Sequence, residues 1–292
     1  MQPLLVVLSL WLTPLSAYRA QEAQAGAKPA PAADEARALW ERACAASGEA
    51  NRAPLNSFQL KADVLIRNGV QNNESHIDYS YLAPDCIRFV LPSKNETGRF
   101  GPAPEQYWMQ TPDSVTVLAG REYKEDRKKV DDMLTLARNY VALSIPARLN
   151  VQGLEILPAA PADLGPELAS RTKKLRWIAF DSPDFALLSG DLARETPAMY
   201  LVELGLREDL LPAVAIVRER GKPSTDPLLV EFSKYQEQDG FKLPFQLLVH
   251  AYDRTQKPAV FAKDPAQEVY VTSAALRPKL TIEDFKPRKK KE

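Results

Sequence analysis

The chain has 292 residues, with 38 basic and 38 acidic side chains and a formal net charge of +0. That balance excludes the basic footprint of a nucleic-acid binder, and a hydrophobic content of 45% is that of an ordinary globular core. Twenty-four prolines against 12 glycines favour many short connections over long helices.

The first stretch, Leu4 to Leu12, is apolar and is followed by Pro14 and by Leu15-Ser16-Ala17. An apolar run too short to span a bilayer, closed by small residues, is the layout of a secretory signal peptide. No Lys or Arg precedes it, so the amino terminus alone supplies positive charge. Cleavage is expected after Ala17, or after Ala25 where Ala23 and Ala25 form an A-x-A pattern. Residues 1–25 are read as the leader and 26–33 as a flexible lead-in. The mature chain is then expected to fold outside the cytoplasm. The compartment permits a Cys44–Cys86 disulfide; equally, each cysteine can be a small buried hydrophobe. Neither lies close behind the leader, so there is no lipobox cysteine to acylate.

Asp34 can cap a helix in which Ala36, Leu39, Trp40, Ala43, Cys44 and Ser47 share one face, ending at Gly48. After Pro54 the period changes to two. Phe58, Leu60, Ala62, Val64 and Ile66 alternate with mostly polar residues, Asn68-Gly69 turns, and Ile77, Tyr79 and Tyr81 alternate in the next strand. A third strand holds Ile87, Phe89 and Leu91, with two more around 106–110 and 114–119. Strands joined this tightly are antiparallel. A second helix is predicted from Asp126 to Leu143, with Val130, Met133, Leu134 and Ala137 on one face. The segment 158–174 reads as a loop or short helix. Strands then resume over 175–180, 185–189, 199–206, 213–218, 228–236, 243–252 and 268–276. Gln238-Asp239-Gly240 marks a hairpin between two of them. The chain closes on a basic tail, 288–292.

The expected fold is therefore α+β and mostly antiparallel. Each strand offers one apolar face, and two short helices cover only part of that surface, so the sheet must curl. The expectation is a curved, incomplete β-barrel with about two helices on its concave face and an apolar cavity beneath them. Candidates to line that cavity are Trp40, Phe58, Leu60, Val64, Tyr79, Tyr81, Phe89, Met133, Phe232 and Phe245.

Catalytic motifs are missing. There is no G-x-S-x-G, H-E-x-x-H, P-loop or G-x-G-x-x-G. His76 and His250 stand far apart with no neighbouring Cys or His, which gives no basis for a metal site. The carboxylate pairs Asp131-Asp132, Asp181 with Asp184, and Glu208-Asp209 read as solvated faces or turns. No cofactor is expected. Asn73-Glu74-Ser75 and Asn95-Glu96-Thr97 match the glycosylation acceptor pattern. The basic tail can contact an anionic membrane surface.

Several strings together are similar to those of a known family. They are Trp40-Glu41-Arg42-Ala43-Cys44-Ala45-Ala46-Ser47-Gly48 before a strand, Pro84-Asp85-Cys86-Ile87-Arg88-Phe89, Tyr200-Leu201-Val202-Glu203-Leu204-Gly205-Leu206, Asp239-Gly240-Phe241-Lys242-Leu243-Pro244, and Asp284-Phe285-Lys286-Pro287. Their order resembles the bacterial outer-membrane lipoprotein-sorting, or lipoprotein carrier, superfamily across residues 34–287, read as a single domain. The resemblance implies a strongly curved, incomplete antiparallel barrel plugged by helices. It further implies a periplasmic carrier that shields a lipid or the acyl chains of a lipidated protein. It carries over no site residue. Alternatives are a regulatory or interaction module of the same fold without lipid cargo, and a hydrolase with an unrecognised site.

Overall fold

The computed structural model describes residues 31–48, 57–68, 71–82, 86–91, 106–111, 114–119, 122–124, 149–183, 199–222 and 225–285. The expected leader, the helix at 126–143 with Met133, the strand at 185–189, the acceptor at Asn95 and the basic tail lie outside them. Helix α1 spans Pro31–Ala46. It begins three residues before Asp34, so the last part of the expected lead-in is helical.

Six strands follow: β1 Ser57–Asn68, β2 Gln71–Leu82, β3 Cys86–Leu91, β4 Gln106–Thr111, β5 Ser114–Ala119 and β6 Glu122–Lys124. Strand β7, Gln152–Leu157, precedes helix α2, Gly165–Thr172. Then come β8 Arg176–Ser182, β9 Tyr200–Leu206, β10 Pro212–Glu219, β11 Leu228–Gln238 and β12 Phe241–His250. Two short strands, β13 Tyr252–Asp253 and β14 Val260–Phe261, form a separate hairpin before β15, Gln267–Leu276.

Thirteen strands make one sheet in the order β6-β5-β4-β3-β2-β1-β15-β12-β11-β10-β9-β8-β7. Every pairing in it is antiparallel. The sheet is open rather than closed into a barrel: β6 and β7 form its two ends. It is the α+β, curved antiparallel architecture expected from the alternation. The β1–β2 hairpin turns at Asn68↔Gln71 and the β11–β12 hairpin at Gln238↔Phe241, where the Asn-Gly and Asp-Gly signals stand.

Curvature follows from what is buried. A single core cluster draws side chains from β2, β1, β15, β12, β11, β10, β9 and β8 and from α1. Laid flat, those eight strands would spread over roughly 34 Å, far wider than one helix of about 10 Å can cover. The sheet therefore bends around α1. Register breaks where β15 opposes Lys61/Ala62, at Pro212/Val214 and at Gln152/Glu155 supply local bending.

One expectation needs correction. Strands β8, β10 and β11 are buried on both faces, not one. Ile178, Phe180, Ala215, Val217 and Val230 face the α1 side. Their alternates Trp177, Val214, Ile216 and Leu229 join a second core with Leu164 and Leu168 beside α2 and Phe261 of β14. The loop-or-helix segment at 158–174 thus supplies a helix for the outer face, while α1 covers the inner one.

The two cores are fitted by two glycines. A Cβ on Gly205 would stand 2.8 Å from Leu175 Cδ1 and 3.1 Å from the Trp177 ring, which packs across the β8–β9 pair onto that bare backbone. Gly48, just past α1, has φ +108°, and a Cβ there would stand 2.2 Å from the carbonyl oxygen of Gly240. The close approach lets Lys242 N–H donate to Ser47 O at 3.2 Å and ties α1 to the β11–β12 hairpin. Gly205→Ala is expected to cost about 1–3 kcal/mol, because flexible side chains can yield. Gly48→Ala should cost more, because backbone must move and φ is left-handed. Urea midpoints of the two variants against the parent decide the order.

Candidate functional site

The inner face collects most of the aromatic and aliphatic residues singled out in the sequence. Antiparallel pairing sets Phe58 opposite Tyr81 and Leu60 opposite Tyr79 across β1 and β2. Phe58 and Tyr79 stack at 5.2 Å between ring centroids, and Phe58 and Tyr81 lie at 5.5 Å. Phe232 and Phe245 enter the same core from β11 and β12, and Trp40 enters from α1, its ring 4.9 Å from that of Phe180. Leu60 and Tyr81 are half-buried against the cluster. Val64 is buried farther along β1. Phe89 stands opposite Tyr79 in the β2–β3 ladder. Met133 lies outside the described residues.

Burial sets the chemistry of this face. It pushes the Tyr79 phenol well above its ordinary range, with Tyr81 adding to the effect. Residues contributing most on the far side were absent from the candidates: Ile178, Phe180, Tyr200, Val202 and Leu204. Their signal is the largely apolar run in β8 and in β9, where Glu203 is the one charged residue. Cys44 of α1 and Cys86 at the head of β3 are both buried.

Polar groups gather on the outer face. Asp163, before α2, and Glu203 on β9 both accept from Arg218, at 2.8 Å each. Burial pulls the Arg218 guanidinium down, and the two carboxylates more than reverse it. Glu268 of β15 accepts from Tyr270 and from Arg67, and these bonds hold its carboxyl below the usual range. His76 and Asp63 form an exposed pair on neighbouring strands. Among the described residues no group of three or more His, Cys, Asp or Glu could hold a metal ion. Nor is any described helix long and apolar enough to cross a membrane.

No family model matches the chain, and no curated protein matches it in sequence. Solved structures do match. One is a LolA superfamily protein from Nitrosomonas europaea, 10% identical, with a TM-score of 0.47, covering 86% of this chain and 97% of that one. Another is a DUF1329 family protein from Desulfovibrio piger, 12% identical, with a TM-score of 0.43 and the same coverage. A third, described as an outer membrane lipoprotein-sorting protein domain from Vibrio parahaemolyticus, is 9% identical with a TM-score of 0.40, again over 86% and 97% of the two chains. The first and third carry names of the family that the sequence strings resemble.

Two predictions follow from the packing. Trp40→Ala removes the ring that meets Phe180 and should destabilise the chain by about 3–5 kcal/mol, read from denaturant unfolding followed by circular dichroism. Glu268 has a depressed folded-state pKa, so its contribution is present at neutral pH and is lost as pH falls through the carboxylate range. Glu268→Gln should therefore flatten the acid limb of the stability–pH curve and lower stability at pH 7, which thermal melts from pH 3 to pH 7 will show.

Proposed function

We propose that this chain is an exported carrier or binding protein. Its inner sheet face shields a lipid, or the acyl chains of a lipidated protein, in the periplasm. The observation that carries this reading is the continuity of that face. Eight strands and one helix pool apolar side chains into one surface, and α1 is laid on it as a single layer. A helix is about 10 Å across. The apolar face beneath it suits extended hydrocarbon chains, which gain about 0.8 kcal/mol for each methylene buried. The basic residues at 288–291 add attraction to an anionic membrane surface. Neither nucleic acid nor a cofactor enters this reading.

A second reading is favoured by one specific observation. Phe58, Tyr79, Trp40, Phe232 and Phe245 are each less than 8% exposed, packed against one another and their neighbours. A face filled in this way suits a regulatory or interaction module whose partner is a polypeptide and whose interior takes no cargo.

Mass spectrometry of an organic extract separates the two. The protein is expressed with its own first 25 residues and purified from the periplasm without detergent. A stoichiometric lipid or acylated peptide is the expected result. A clean extract, together with no uptake of a fluorescent fatty acid, overturns the carrier reading and leaves the interaction module.

A further inference from the structure

The inner face changes character at one end of β8, β9 and β10. Rows across these strands run Ile178, Leu204 and Ala215, then Phe180, Val202 and Val217, all in the inner core. The ladder next aligns Ser182, Tyr200 and Glu219. Period two puts these three side chains on the same face as the apolar rows. Ser182 and Tyr200 are 0% exposed, and the Glu219 side chain is 2% exposed.

A carboxylate is rarely buried this deeply unless it is paired. Both Glu219 oxygens are engaged from the turn that follows β10. Lys222 Nζ stands 2.7 Å from Oε1, and Thr225 Oγ1 donates to Oε2 at 3.2 Å. Thr225 N–H donates to Lys222 O at 3.0 Å, which holds the turn together. The Lys222 side chain is 48% exposed. Its ammonium therefore reaches in from the rim, on a flexible stem, to a carboxylate that belongs to the inner face.

This polar row lies one step beyond the point where α1 is laid down. Phe180, which meets the Trp40 ring at 4.9 Å, is two residues before Ser182 on β8. A hydrocarbon chain lying along the Ile178 and Phe180 rows places its end at Ser182, Tyr200 and Glu219. A head group there meets carboxylate oxygens, which only accept, and two hydroxyls, which accept as well as donate. A phosphate or carboxylate head would be set against Glu219 at like charge, and Lys222 is already bonded to that residue. A methyl end would leave the carboxylate facing hydrocarbon. An amine supplies both donors and the opposite charge, and the Lys222 ammonium at 2.7 Å shows that such a group fits.

We propose, on the carrier reading, that the Ser182–Tyr200–Glu219 row seats the amine head of an amphiphile whose chain lies on the inner face, with the Lys222 ammonium giving way to it. The cargo is then an amine-headed amphiphile and not a fatty acid.

Calorimetric titration of the full chain near neutral pH tests this, with dodecylamine, dodecanol and dodecanoate each below its micelle concentration. The three share a chain and differ in the head. Dodecylamine should bind about tenfold more tightly than the other two. In Glu219→Gln that preference should vanish while dodecanol binding stays. Lys222→Met keeps the stem and removes the competing ammonium, so dodecylamine should bind several-fold more tightly. An ion pair with a structural role alone would leave or weaken binding of all three alike in both variants, and that result overturns the amine seat. Equal binding of the three heads by the parent, or tightest binding of dodecanol or dodecanoate, also removes the seat and keeps the carrier. If none of the three binds, the carrier reading falls and the seat with it. Ethylamine, the head without the chain, should not bind measurably; binding as tight as that of dodecylamine overturns the proposal. Lys222 is half exposed, so its variant keeps the test open even where Glu219→Gln does not fold.

Discussion

The sheet depends on one ladder, the antiparallel pairing of β1 with β15. Phe58 meets Leu276 and Ile66 meets Gln267 across some two hundred residues of sequence. On one side lies the meander β1 to β6; on the other lie β12 down to β7. Among the described residues no other pairing within the sheet bridges the two halves. Without it, each half would present an apolar face and a raw edge to water. Such a distant closure must meet its loop-entropy cost before its contacts form, so it is the slow and cooperative part of folding. Neighbouring bonds reinforce it: Arg277 N–H donates to Ser57 O, Ser57 Oγ to Pro278 O, and Leu276 N–H to the Asp239 carboxylate.

Closure of that ladder decides which side chains share a face. The register puts Phe58, Leu60, Ala62 and Val64 in line with Leu276, Ala274, Val271 and Val269, and Leu247 continues the row on β12. A one-residue slip would turn all of them outward. The inner face is thus a property of the whole sheet, and a reading of it as a lipid surface rests on the sheet's continuity more than on any one aromatic. The outer face divides instead. Over β1, β2 and β15 it is polar and ion-paired, while over β8, β10 and β11 it holds an apolar core beside α2 and the β13–β14 hairpin, with the Arg218 cluster next to it.

The alternation of Phe58 to Ile66 and of Ile77 to Tyr81 made β1 and β2 legible, since one face of each meets water and period two survives in the letters. The Asn68-Gly69 and Asp239-Gly240 turns were legible from those letter pairs, and Asp239 and Gly240 do take left-handed backbone, with φ 50° and 80°. Strand β7 was not. Gln152-Gly153-Leu154-Glu155-Ile156-Leu157 is a mostly exposed strand whose polar letters look like linker, and pairing with β8 makes it a strand. The outer core was hidden for the opposite reason. Ala213-Val214-Ala215-Ile216-Val217 is apolar at every position, so periodicity says nothing about two faces. Trp40, Phe58, Tyr79, Phe232 and Phe245 of the inner cluster could be chosen as aromatics on amphipathic elements. Phe180, Tyr200 and Leu204 could not, because their membership depends on the sheet bending back toward α1.

Two of the chain's four tryptophans report on opposite sides of this sheet. Trp40 lies on the inner face against Phe180, and Trp177 on the outer face over Gly205. A protein with Trp11 and Trp108 replaced would carry one fluorophore per side. Emission from the first would follow anything that enters beneath α1, and emission from the second would follow the roof of α2 and the β13–β14 hairpin. Replacing one further tryptophan of this pair leaves a single-tryptophan protein, so each face can be watched in turn without attaching a dye.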